Sequence, residues 1–99
     1  MVECKIWSNG SMLFEDVFLN PQQIKYLVNW LNLYNEEIHN KQLCGNCEMN
    51  NEGLVVNSVN GITMIATHRD YGAFNNDQLS KIKKFINDHR NVVGCQEVI

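Results

Sequence analysis

Two Asn-Gly dipeptides, at 9–10 and 60–61, constrain the fold of this chain more than any other feature. Asn-Gly supplies the two positive-φ residues that a tight type I′ turn requires. The first pair sits between VECKIWS and SMLFEDVFL, the second between GLVVNSV and ITMIATH, runs rich in apolar and β-branched residues, so each predicts a β-hairpin. A helix start with matching chemistry follows each hairpin. Asn20-Pro21-Gln22-Gln23 offers an asparagine cap, a proline at the first helical position and a glutamine that reaches back to the cap; Asn75-Asn76-Asp77-Gln78 offers the same cap and glutamine.

The expected order is therefore ββα written twice, over 1–39 and 53–90, joined by an Asn/Gly-rich connector at 40–52 and followed by a strand from about 91 to 99. A chain of 99 residues has room for one domain, and neither unit alone can close a core. The economical arrangement is an α+β fold, ββαββα plus a C-terminal strand, with one mainly antiparallel sheet and both helices packed on one face.

A two-residue turn at Asn9-Gly10 sets the register Ile6 opposite Leu13, Cys4 opposite Glu15 and Val2 opposite Val17. Lys5, Trp7, Met12, Phe14 and Phe18 then fall on the outer face. Superposing the second Asn-Gly on the first makes Val55, Val59, Ile62, Met64 and Ala66 the core side of the second hairpin. In the second helix Leu79, Ile82, Ile86 and His89 form one stripe with Phe85 beside it. The first helix carries two: Ile24, Leu27, Val28, Leu31 and Ile38 toward the core, and Tyr26, Trp30 and Leu33 nearly opposite at helical spacing.

Hydrophobic content of 44% with 19% charged residues describes a globular chain, and a net charge of −3 argues against a nucleic-acid or membrane specialist. The start, MVECKIWSNG, has neither a basic leader nor an apolar run, and no segment approaches the roughly 18 residues needed to span a bilayer. A cytoplasmic location is the expectation. Fifteen asparagines against one proline suggest an A+T-rich genome of viral or phage kind.

The stretch LCGNC at 43–47 presents Cys44 and Cys47 at metal-ligand spacing, but a closed zinc site needs four ligands and no second CxxC or HxxxH pairs with it. A structural zinc would have to draw on Cys44, Cys47, His39 and Cys95. The redox reading is weaker, because this CxxC follows a helix and precedes a strand, whereas thiolate stabilisation needs a helix N-terminus. Ordinary loop thiols are the preferred reading, with no cofactor. The segment RDYGAFNN places Arg69, Tyr71, Gly72 and Phe74 ahead of the second helix, where free backbone N–H groups can hold a phosphate or nucleotide. Lys81, Lys83 and Lys84 lack the interleaved aromatics of a single-strand platform, so nucleic-acid binding, including a zinc-stabilised form of it, ranks lower.

No nucleophile stands beside a base and no carboxylate pair has a useful spacing, so the expectation is a non-enzyme. The surplus apolar side chains Trp7, Met12, Phe14, Phe18, Tyr26, Trp30 and Leu33 are of the kinds enriched in interfaces. They point to a small protein-interaction module, homodimeric, that binds and occludes a partner protein in the manner of a viral inhibitor. Binding of a small ligand at Arg69, Tyr71, Gly72 and Phe74 is the alternative.

Overall fold

A computed structural model describes residues 2–36 and 52–98. The fold is α+β, with two separate three-stranded antiparallel sheets in place of the single sheet expected. The chain runs β1 (Cys4–Ile6), β2 (Met12–Phe14), β3 (Val17–Leu19), α1 (Pro21–Glu36), β4 (Val55–Val59), β5 (Ile62–Ala66), β6 (Tyr71–Phe74), α2 (Asn76–Asp88) and α3 (Arg90–Val93). Each half thus contains three strands followed by a helix, and the second half adds α3. The extra strands arise because the run SMLFEDVFL breaks at Glu15-Asp16, where Phe14 pairs with Val17 and Glu15 takes φ 55°, and because 71–74 is strand where a loop was expected.

The first hairpin differs from expectation by one residue. The Gly10 N–H donates to the Trp7 carbonyl at 3.0 Å, the Trp7 N–H donates to Ser11 at 2.9 Å, and the Ser11 N–H donates to the Asn9 side chain at 2.9 Å. Gly10 takes φ 92° while Asn9 stays out of the left-handed region. This is a three-residue loop ending in a glycine bulge, the alternative turn that the same dipeptide permits. The register becomes Cys4 with Phe14 and Ile6 with Met12. A slip of one residue exchanges the faces of β2. Met12 and Phe14 are consequently fully buried and leave the apolar surface to which the sequence assigned them, while Leu13 turns outward.

At the second hairpin Asn60 and Gly61 do adopt positive φ, 54° and 80°, and Val59 pairs with Ile62 as expected. Its faces are nevertheless inverted. Val56, Ser58, Thr63 and Ile65 are buried, whereas Val59, Ile62 and Met64 are exposed. Superposing the Asn-Gly pairs is the source of the error, since the loops differ in length. Aligned on the pairs that close each loop, Trp7 with Ser11 and Val59 with Ile62, the next pair inward is Ile6 with Met12 in one hairpin and Ser58 with Thr63 in the other.

Both helix starts follow the sequence. The Gln23 N–H donates to Asn20 Oδ1 at 2.8 Å and the Asn20 N–H to Gln23 Oε1 at 2.9 Å; Asn75 and Gln78 repeat this reciprocal box. Ile24, Leu27, Val28 and Leu31 of α1 and Leu79, Ile82 and Ile86 of α2 enter one core with Met12, Phe14, Val17, Leu19, Ile65 and Phe74. Ile38 lies outside the described residues. The C-terminal strand is replaced by α3, which Gly94 ends in the left-handed conformation at φ 76°, and by an irregular tail held against α2.

Candidate functional site

The outer face of β4–β6 departs most from what a water-exposed sheet requires. Its register places Val59 beside Ile62, Asn57 and Ala73 on either side of Met64, and Val55 and Tyr71 on either side of Ala66. None of these eight residues is charged. Val59, Ile62 and Met64 are 42–45% exposed and Tyr71 is 70% exposed. Directly beneath, on the core side, the paired residues Ser58 and Thr63 are buried, with the Thr63 hydroxyl donating to Ser58 Oγ at a long 3.4 Å. Antiparallel sheets with one solvated face ordinarily alternate apolar-in and polar-out. Around this turn the alternation is reversed. Asn57, midway along the edge strand β4, has a buried side-chain oxygen without a hydrogen-bond partner.

The first sheet has exposed apolar side chains on its own outer face. Trp7 and Phe18 are 45% and 42% exposed and meet edge to face with ring centroids 5.3 Å apart, and Phe18 is paired with Leu13 across the sheet. The two sheets meet where β3 passes β6. There the Phe18 N–H donates to Asp70 Oδ2 at 3.4 Å. Gly72 lies so close to Val17 that a Cβ on it would stand 2.9 Å from Val17 Cγ2. Of the residues expected to form a partner surface, Trp7 and Phe18 are brought together here. Tyr26 and Leu33 are exposed on α1, with Leu33 beside Asn29, Asn32 and Gln96, and Trp30 is half-buried against the core. They form a second patch.

Val59, Ile62, Met64 and Tyr71 were missed by sequence reasoning as surface residues. The available signal was the Ser58–Thr63 pair, two small hydroxyl side chains that satisfy each other when buried.

Arg69, Tyr71, Gly72 and Phe74 do not converge. Phe74 is buried, Gly72 packs against its ring, Tyr71 projects from the outer face, and Arg69 lies on the β5–β6 turn. Arg69 precedes the strand, and Phe74 ends it, three residues or roughly 10 Å beyond Tyr71. The start of α2 is already occupied by the Asn75–Gln78 box and by Asp77 in its first turn. Arg69 instead helps to line a cleft of about 220 Å³ with Phe18, Asn20, Gln23, Gly53, Thr67, His68 and Asp70.

Cys44, Cys47 and His39 lie outside the described residues. Cys95 is half-buried near Lys25 and Asn29, and burial raises its thiol pKa; Cys4 packs against the core, and burial and then the Glu15 carboxylate raise its own. Among the described residues no three His, Cys, Asp or Glu side chains cluster as metal ligands. On α2, Lys81 and Lys84 are exposed, while Lys83 is partly buried and its ammonium pKa is lowered by desolvation. Among the described residues no helix is long and apolar enough to cross a membrane. The chain matches no protein-family model, no curated protein and no solved structure.

Proposed function

We propose that this protein is a non-catalytic interaction module that self-associates and occludes a partner protein's surface, using the outer face of its two sheets. The two halves act as a duplicated strand-and-helix unit whose helices share one side and leave the other for binding. The observation that supports this reading is the inverted second hairpin, with Ser58 and Thr63 inside and Val59, Ile62 and Met64 outside.

Magnitudes indicate how much of the surface a partner must cover. Burying the exposed portions of Val59, Ile62, Met64 and Tyr71 contributes about 4 kcal/mol, at the lower limit of what association costs in lost rigid-body freedom. Adding Trp7 and Phe18 raises this to about 6 kcal/mol. These sums are for one copy and double in a symmetric pair, so a complex that spans both sheets has the larger surplus over the cost of association. The β4–β6 part of the face carries no charged residue, and on the first sheet the row of Phe18 and Leu13 ends in Lys5, which is paired with Glu3 at 3.5 Å, so two copies can stack on the β4–β6 face without like-charge repulsion, and occlusion of a target in the manner of a small viral or phage inhibitor needs nothing more than this surface.

Sedimentation analysis tests the self-association. The wild-type chain is expected to shift from monomer to dimer with concentration, and Met64→Lys and Phe18→Lys to remain monomeric. A wild-type chain that is monomeric up to about 100 μM, where a Kd of 10 μM would already give mostly dimer, removes the homodimer from the reading.

A further inference from the structure

The cleft between the two halves is a second place where ligand chemistry is concentrated, and it borders the apolar face at Phe18. One wall is the β5–β6 turn. The Thr67 N–H donates to the Asp70 carbonyl at 2.8 Å, and the Thr67 hydroxyl oxygen accepts from the N–H groups of Arg69 and Asp70 at 3.2 and 3.1 Å. The facing wall is the Asn20–Gln23 box, from which the Gln23 side-chain amide donates to the Glu52 carbonyl at 3.0 Å and lies 3.5 Å from that of Gly53. The His68 ring sits over Gly53, within 3.2 Å of where a Cβ would project. Asp70 also lines the cleft, with its carboxylate turned to the Phe18 N–H.

The walls are therefore set by hydrogen bonds that use the amides, the hydroxyl oxygen and the one carboxylate. The Arg69 guanidinium and the His68 imidazole are left over, with no hydrogen bond or ion pair among the described residues. A planar guanidinium fork recognises an oxyanion bidentately, and an imidazole N–H lining the same cleft supplies a further donor. The volume, about 220 Å³, is smaller than the clefts that hold drug-sized ligands and suits a group of phosphate size. We propose that this inter-unit cleft binds a small oxyanion, inorganic phosphate or the phosphate of a small monoester, through Arg69 and His68.

The test is a titration of the ¹⁵N-labelled full chain with inorganic phosphate and, separately, with a small phosphate monoester, at constant ionic strength. Saturable shifts confined to the amides of Thr67, His68, Arg69, Asp70 and Gly53 are expected, with a Kd on the order of 1 mM or tighter. Arg69→Ala and His68→Ala should each weaken binding at least about 10-fold while the remaining amide spectrum stays that of the folded chain, and Arg69→Lys should recover only part of the loss. Saturation by the monoester alone would mark an esterified ligand, and saturation by both a free anion site. Linear shifts up to about 10 mM with both probes, shifts centred elsewhere, or affinity unchanged by Arg69→Ala would overturn the assignment.

Discussion

The side-chain amide of Asn87 on α2 pairs with the backbone of Val98 through two hydrogen bonds: Nδ2 donates to the Val98 carbonyl at 2.9 Å, and Oδ1 accepts from its N–H at 2.7 Å. One carboxamide thus supplies both bonds that a neighbouring strand would have supplied. Asn32 on α1 adds a third tie, from Nδ2 to the Glu97 carbonyl at 3.1 Å. The tail needs no sheet to be held, and Val98 is buried beneath it.

Asn87→Ala should therefore cost about 1–3 kcal/mol, because it leaves a donor and an acceptor of a buried residue without partners. Urea denaturation measures the loss, and hydrogen exchange locates it, with the Val98 amide expected to lose protection before the core amides of α2. Unchanged protection at Val98 would show that the tail is held by packing alone.

The shifted first hairpin makes a contrast across three consecutive residues. Phe14→Ala should destabilise by about 3–5 kcal/mol and Met12→Ala by about 2–5 kcal/mol, the range for large buried side chains. Leu13→Ala, on the outward face, should cost less than about 1 kcal/mol. The register expected from a two-residue turn requires the opposite ranking, so chemical denaturation of the three variants decides between them.

Both helices were legible because their signals are local: the reciprocal caps at Asn20 and Asn75 and the apolar stripes of α1 and α2 depend on residues within a few positions of each other. The Asn60-Gly61 turn was legible for the same reason. Asn9-Gly10 misled because one dipeptide serves two loop lengths, and the choice rests on the Asn9 side chain accepting from Ser11. The break at Glu15-Asp16 carries no glycine, proline or asparagine to announce it. Val92 and Val93 favour a strand by their branching, yet Asn87 holds the segment that follows them from another element. The exposed face was hidden for a different reason, since a period of two fits either side of a sheet when both sides carry apolar residues.

Gly72 is required by close approach. A Cβ there would lie 2.8 Å from Phe74 Cζ and 2.9 Å from Val17 Cγ2, both on buried side chains at the junction of the sheets. Gly72→Ala should cost about 1–3 kcal/mol by overpacking. Phe74→Leu removes the nearer atom, so the double variant should be more stable than the sum of the two single losses predicts. A double-mutant cycle by thermal or urea unfolding measures that coupling, and strict additivity would place the strain elsewhere.

The raised thiol pKa values of Cys4 and Cys95 have a defined sign. Burial favours the neutral thiol in the folded chain, and for Cys4 the Glu15 carboxylate adds to this. The associated stability is fully present below the unfolded thiol pKa and is lost as pH rises through the folded one, on the alkaline side. Alkylation followed by site-resolved mass spectrometry should find both thiols slower than in the urea-unfolded chain at the same pH, since the thiolate is the reacting species. Glu15→Gln should speed Cys4 and leave Cys95 unchanged.

The inverted second hairpin yields a paired prediction about stability and association. Ser58 and Thr63 are buried against the core with their hydroxyls turned to each other, so removing both polar groups together should be neutral or stabilising, whereas removing one strands the other. Thr63→Val alone should cost about 1–2 kcal/mol and leave the oligomeric state unchanged; Ser58→Ala with Thr63→Val should recover most of that loss. On the opposite side of the same strands, Met64→Lys should leave stability within about 0.5 kcal/mol of wild type in the dilute monomer, because its side chain already meets water. Its effect should fall on self-association. Unfolding at low protein concentration and sedimentation at high concentration separate the two, and a Met64→Lys chain that loses stability as a monomer would make that face part of the fold's own packing.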